Sequence, residues 1–163
     1  MCDFLLKNGI EKNRLVSAPK QWIQLQNKIC FCAVPASHPT IELDSQGHWQ
    51  HVGYLIEFNG TRIYHAGDTA LTSELVAYLE QIKPIDVAFL PVNEINYVRN
   101  QCGIIGNMSL RDAFYLANKL SVKKLVPMHW DMFLPNAVYL EEIELYYRLS
   151  NPSFKLLINP TKI

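Results

Sequence analysis

The sequence predicts an α/β layered fold. Three observations carry that expectation. Strand and helix patterns alternate through the second half of the chain, the strand runs there are short and nearly all apolar, and Asn59-Gly60 joins two β-rich runs. The chain has 163 residues, 49% of them hydrophobic, which suits one domain with a substantial core. No repeat, low-complexity tract or linker divides it.

The elements follow in order. Residues 3 to 8 read as the tail of a helix ended by Gly9 in a left-handed cap. No capping residue precedes that helix, so the chain is read as starting within an element. "KICFCAV" (28 to 34) is a buried strand, followed by the polar loop "PASHPTIELDSQGHWQH". "VGYLIEF", Asn59-Gly60 and "TRIYHA" make a hairpin with a type I′ turn, because that turn needs two left-handed residues. "LTSELVAYLEQIK" is an amphipathic helix with Leu71, Leu75, Val76 and Leu79 on one stripe and Thr72 or Ser73 as its cap. "IDVAFLPV" (85 to 92) is a strand, and "NEINYVRNQCGIIGN" a long polar and aromatic loop. Ser109 and Asp112 open the helix "SLRDAFYLANKL" in the manner of a capping box. The strand "KKLVPMH" ends at His129; the helix "LEEIELYYRL" and the strand "FKLLI" complete the chain.

Charge narrows the function classes. Lys plus Arg and Asp plus Glu both number 15, for a formal net charge of zero, without a basic stripe or like-charge block. Nucleic acid and membrane surfaces are therefore not the expected partners. No apolar run approaches the ~20 residues of a membrane span, and the N-terminal run is too short for a signal peptide, so a cytoplasmic protein is expected. Four cysteines, Cys2, Cys30, Cys32 and Cys102, include no second CxC or CxxC pair to complete a zinc knuckle, and are read as reduced, small hydrophobes.

Chelating residues recur where strands end: His38 after "CAVPAS", Asp68 after "RIYHAG", Asn93 and Glu94 after "VAFLPV", and His129 after "LVPM". Strand ends are where α/β sheets bind ligands. An ionised Asp is costly to bury unless it is hydrogen-bonded, paired or bound to a metal, so Asp68 either caps a turn or holds a cation. Two imidazoles and a carboxylate suit Zn²⁺ or Mn²⁺. His65 lies within a strand and is expected to donate a structural hydrogen bond. His48 and His51 belong to a solvated loop, and nothing around Cys102 marks an activating base.

"VPASH", "GYLIEFNGTRIYHAGDT", "IDVAFLPVN", "GNMSLRDAFYLANKL" and "KKLVPMHWDMF", in that order, resemble the metallo-β-lactamase superfamily over about residues 28 to 135. The branch they look most like is the ascorbate-6-phosphate lactonase-like one. The resemblance implies an αββα sandwich with one or two divalent ions at the strand ends. It implies that His38 is a ligand of the first ion, that Asp68 bridges both and that His129 is a ligand of the second. A hydroxide held between ions ~3.5–4 Å apart would be the nucleophile.

One departure from the family pattern is plain. The family carries an HxHxDH cluster early in its sequence, and none of the five histidines here, His38, His48, His51, His65 and His129, forms HxH or DH. Residues 1–163 are therefore expected to form a single partial domain, about half of the sandwich: a mixed sheet with flanking helices, lacking the HxHxDH portion. Without that cluster, no catalytic residue set is complete and each ion has too few protein ligands, so metal binding by this chain alone is expected to be weak or absent. An exposed apolar sheet face favours a homo-oligomer or the missing half as partner.

The lactonase-like branch opens a sugar-phosphate lactone. By that resemblance the expected substrate is a phosphorylated or lactone small molecule, met by the loop 93 to 107. There Arg99 could offer a fork to a phosphate, or simply solvate the loop, while Tyr97 and Asn107 could add hydrogen bonds. Two readings stay open: a metal-dependent hydrolase whose other half lies elsewhere, and a non-catalytic remnant.

Overall fold

A computed structural model describes residues 2–25, 28–132 and 134–160, and only the backbone of Cys2. The start at Met1, on which the reading of a partial domain touches, lies outside the described residues. Among the described residues seven strands form one sheet: β1 (Ile23–Gln24), β2 (Cys30–Pro35), β3 (Val52–Phe58), β4 (Thr61–His65), β5 (Val87–Pro91), β6 (Lys124–Met128) and β7 (Lys155–Leu156). Their spatial order is their order in the chain. The strands from β1 to β4 pair antiparallel, and those from β4 to β7 pair parallel. The mixed sheet and flanking helices expected from the sequence are present.

The β3–β4 hairpin turns at Asn59 and Gly60, with φ of 49° and 74°, as a type I′ turn requires. α1 (Cys2–Lys7) ends before Gly9, whose φ is 85°, and Ile10 N–H donates to the Leu5 carbonyl across that end. α2 (Ser73–Ile82) is capped by Thr72, whose side chain accepts from Leu75 N–H. α4 (Leu110–Lys119) starts with the full reciprocal box of Ser109 and Asp112, and α5 is Leu140–Ser150. Three boundaries differ from the sequence reading. β1 was not foreseen, the strand "FKLLI" pairs only at Lys155 and Leu156, and the loop 93 to 107 contains a short helix, α3 (Tyr97–Gln101). Each of these elements is too short for a period to show.

The monotonic strand order explains where the core lies. A parallel crossover is right-handed, so crossovers that all step in one direction place their helices on one face. The register shows the result. Cys32, Leu55, Tyr64, Ala88 and Leu125 form one row across the sheet, all at most 5% exposed, and pack with Leu75 and Leu79 of α2, Phe114 and Leu116 of α4 and Ile143 of α5. The neighbouring rows, which point the other way, hold Phe31, Ile56 and Ile63, then Tyr54, His65 and Phe89, none of them fully buried, together with the buried Ala33, Val87 and Val126. That face is apolar, and α2, α4 and α5 all pack against the other one.

Asp86 stitches the sheet centre. Its carboxylate accepts from Arg62 N–H at 2.8 Å and pairs with Lys123 Nζ at 2.7 Å, while its backbone N–H donates to the Arg62 carbonyl at 2.8 Å. The Arg62 N–H, then Lys123, hold this carboxyl below its ordinary range against the opposing effect of burial. A folded value below the unfolded one, about 3.9, means the contribution is complete above that pH and is lost as pH falls through the folded value. Asp86→Asn is therefore expected to flatten the acid side of the stability profile below about pH 4, read as urea midpoint against pH. An unchanged acid limb would refute it.

Candidate metal centre

The site forms where β2, β4 and β6 end. Ser37 N–H donates to Thr69 Oγ1 at 2.8 Å and Ala70 N–H to the Ser37 carbonyl at 2.6 Å, which laces the segment before His38 to the loop that carries Asp68. Gly67, at φ 65°, makes the turn into Asp68, and Thr69 is completely buried, so the loop is fixed while the Asp68 side chain stays 57% exposed. His129 follows β6 with φ 61°, a left-handed conformation uncommon for a histidine.

His129 Nδ1 stands 3.0 Å from Asp68 Oδ1, at ion-pair distance. The two are not aligned for a hydrogen bond, and this buried nitrogen has no hydrogen-bond partner among the described residues. Asn107 Nδ2 donates to the same Asp68 oxygen at 3.0 Å and to Asn93 Oδ1 at 2.9 Å. The Asp68 carboxyl is held below its ordinary range, first by the His129 ring, against the raising effect of burial, and further by Asn107 and His38. The structure thus brings His38, Asp68, His129 and Asn107 to one end of the sheet.

Other candidates are placed differently. Arg99 is 7% exposed, and its guanidinium donates to the carbonyls of Glu94 at 2.8 Å, Ala137 at 2.9 Å and Pro135 at 3.5 Å. Its fork is spent on the chain itself, so neither the phosphate contact nor the solvated arginine matches its position. Tyr97 is 77% exposed on α3. His65 accepts from Gly67 N–H at 3.2 Å through Nδ1, where a donor was expected, and its ring stacks on Phe89. Burial, then the nearby charge of His129, lowers its pKa. His48 pairs with Asp44 in an exposed loop.

Two contacts escaped the sequence reading, although both residues were named in it. The His51 ring lies 5.3 Å from that of His38, and Asn93 is the acceptor that holds Asn107. The first was recoverable from strand register, since Pro35 pairs with Val52 and so brings both flanks of that connection together. For the second, the strand end signalled Asn93 itself, but nothing local signalled its bond to Asn107.

The donor set can be tested against a metal directly. Asp68 and His129 offer converging atoms, and the unpartnered His129 nitrogen suits a cation or a donor. Among the described residues, however, no group of three or more His, Cys, Asp or Glu side chains is arranged to hold an ion. A catalytic zinc keeps three protein ligands, so these residues are an incomplete set. A cavity of about 560 Å³ opens elsewhere, between α4 and α5, lined by Glu94, Arg111, Glu142, Leu145, Tyr146 and Leu149 among others; His38, Asp68 and His129 do not line it. No helix among the described residues is long and apolar enough to cross a membrane.

Comparison with known proteins adds the lineage. Residues 9–130 match the family described as the Beta-lactamase superfamily domain. A UPF0173 metal-dependent hydrolase of Exiguobacterium sp. is 41% identical over 83 residues, covering 51% of this chain and 32% of that protein. One from Caldivirga maquilingensis is 34% identical over 128 residues, covering 78% of this chain and 47% of that protein. The chain thus spans less than half the length of these curated relatives. Among solved structures, Igni18, a metallo hydrolase from the archaeon Ignicoccus hospitalis, superposes with a TM-score of 0.69 at 20% identity, over 96% of this chain and 60% of that one, a likeness of fold.

Proposed function

This chain belongs to the metallo-β-lactamase superfamily, and from that premise we propose that it is the strand-end half of a metal-dependent hydrolase acting on a small-molecule ester or lactone. The observation that carries the reading is the convergence of His129 Nδ1 and Asn107 Nδ2 on Asp68 Oδ1, each at 3.0 Å, at the ends of parallel strands. In it, His38, Asp68 and His129 are the residues this chain contributes to a divalent metal centre, with Zn²⁺ and Mn²⁺ both suited to imidazole and carboxylate. When bound, such an ion supplies Lewis acidity and an activated water. The remaining ligands belong to a second layer seated on the apolar face away from α2, α4 and α5, which would complete an αββα sandwich.

The substrate class rests on the motif resemblance. With Arg99 committed to carbonyls, an anionic group on the substrate would need another cation. The reading therefore keeps to the ester or lactone group. The named hydrolase relatives support the reaction class, and the lactonase-like motifs support the substrate class.

The test is metal uptake. Equilibrium dialysis of the purified chain against Mn²⁺ or Zn²⁺, with the bound ion counted by elemental analysis, is expected to show at least about tenfold weaker binding in Asp68→Ala, since even an outer partner of a ligand is worth 10–100-fold. Equal measurable uptake by wild type and variant overturns the assignment of Asp68.

A further inference from the structure

The strongest unexplained feature of the site is a buried amide with both of its N–H groups aimed at acceptors. Asn107 is 4% exposed and Asn93 3% exposed. One Nδ2 serves Asp68 Oδ1 and Asn93 Oδ1 together, at 3.0 and 2.9 Å. The orientation of the amide follows from its neighbours. Turned over, it would set its own oxygen against the Asp68 carboxylate and against the Asn93 carbonyl, three acceptors with no proton between them. The orientation that satisfies both leaves Asn107 Oδ1 buried with no hydrogen-bond partner among the described residues. A fold that tolerates an unpaired buried carbonyl there does so to place two N–H donors.

The backbone around this amide is clamped as well. Asn107 N–H donates to the Asn93 carbonyl at 2.9 Å, Met108 N–H to the Thr69 carbonyl at 3.0 Å, and Ile95 N–H to the Asn107 carbonyl at 3.3 Å. Glu94 and Asn107 form a parallel bridge, and a Cβ on Gly106 would collide with the Glu94 carbonyl. The neck of the 93–107 loop is therefore closed against the Asp68 loop, and Asn107 has no freedom to wander.

We infer that Asn107, itself oriented by Asn93, is a positioning residue that fixes the rotamer of Asp68 and leaves Oδ2 as the carboxylate oxygen that faces a ligand. Its contact with Asp68 stands in place of the direct substrate hydrogen bond expected from the sequence. The inference rests on the reading of Asp68 as the working carboxylate of the site. Nδ2 and His129 Nδ1 both approach Oδ1, so the side chain presents one oxygen outward. The hydrogen bond to a carboxylate is charge-assisted, which makes it among the stronger restraints a neutral side chain can impose.

The experiment measures Asp68 directly. Three-bond NMR couplings about χ1 of Asp68 are recorded in the full chain for wild type, Asn107→Leu and Asn93→Ala. Leucine keeps the branched outline and heavy-atom count of asparagine, with somewhat more bulk, and removes both donors. Wild type is expected to hold one staggered rotamer, and Asn107→Leu to shift the rotamer ratio by roughly tenfold, the worth of one charge-assisted hydrogen bond. Asn93→Ala, which leaves Asn107 in place but unheld, is expected to shift it in the same direction by less, and answers the question if the leucine variant does not fold. A residue that merely filled space would leave the ratio unchanged in Asn107→Leu. That result overturns the inference, as does an Asp68 already averaged in wild type. Neither result touches metal uptake at Asp68. Conversely, a rotamer lost in Asn107→Leu with no metal effect of Asp68→Ala would keep the positioning and fail the hydrolase reading.

Discussion

Phe114→Ala is expected to cost roughly 3–5 kcal/mol of stability, the range for deleting a buried phenylalanine. Phe114 is 2% exposed in the middle of α4, with its ring edge-on to Tyr146 at 5.0 Å and to Phe154 at 5.1 Å. It therefore joins α4 to α5 and to the segment that enters β7. Little nearby can collapse into the void, because Leu116, Ala117 and Ile143 are themselves fully buried and already packed. For a chain of this size the loss corresponds to a fall in the unfolding midpoint on the order of 10 °C, measured by circular dichroism. A loss below about 1 kcal/mol would show that this junction is not the keystone its packing indicates. The consequence reaches the site, since α4 begins three residues after Asn107, and a shifted α4 would move that amide relative to Asp68.

Arg99→Leu is expected to cost roughly 3 kcal/mol, concentrated in two loops. The guanidinium reaches back to Glu94 and across to Pro135 and Ala137, so it ties the loop that follows β5 to the loop that follows His129. Removing it leaves the carbonyls of Glu94 and Ala137 without that donor. Arg99→Lys keeps the charge but not the planar fork, and should recover only a minor part. Hydrogen exchange reads the effect: protection should fall across residues 95–106 and 134–138 more than in the sheet. An arginine held for substrate would behave in the opposite way, with protection unchanged and only ligand affinity altered.

Sequence legibility followed the range of the interactions. The Asn59-Gly60 turn, the Ser109 and Asp112 box and the Gly9 cap are local chemistry, decided within four residues, and all formed where the sequence placed them. The strand-end positions of His38, Asp68 and His129 were legible for the same reason, because each follows directly on an apolar run. What failed depended on distant partners. Arg99 looked like a free fork on a polar loop because its acceptors, Pro135 and Ala137, lie in another loop. Asn107 was expected to bond substrate, whereas its side chain donates to Asp68 across three intervening elements, α2, β5 and α3, and no spacing rule encodes that. For His65, residue type cannot say whether an imidazole nitrogen gives or takes a proton; the Gly67 N–H decides it.

The agreement between chain order and spatial order has a consequence for how the protein comes into being. Each strand, as it leaves the ribosome, docks beside the one made just before it, so no strand waits for a distant partner and loop closures stay short. The pair of Asp68 and His129 is the exception. Asp68 is in place once β4 has paired, yet His129 reaches it only after β5 and then β6 have been laid down. A nascent chain therefore carries Asp68 without His129 beside it until the sixth strand docks. The pairing of the two is thereby timed to the maturity of the sheet.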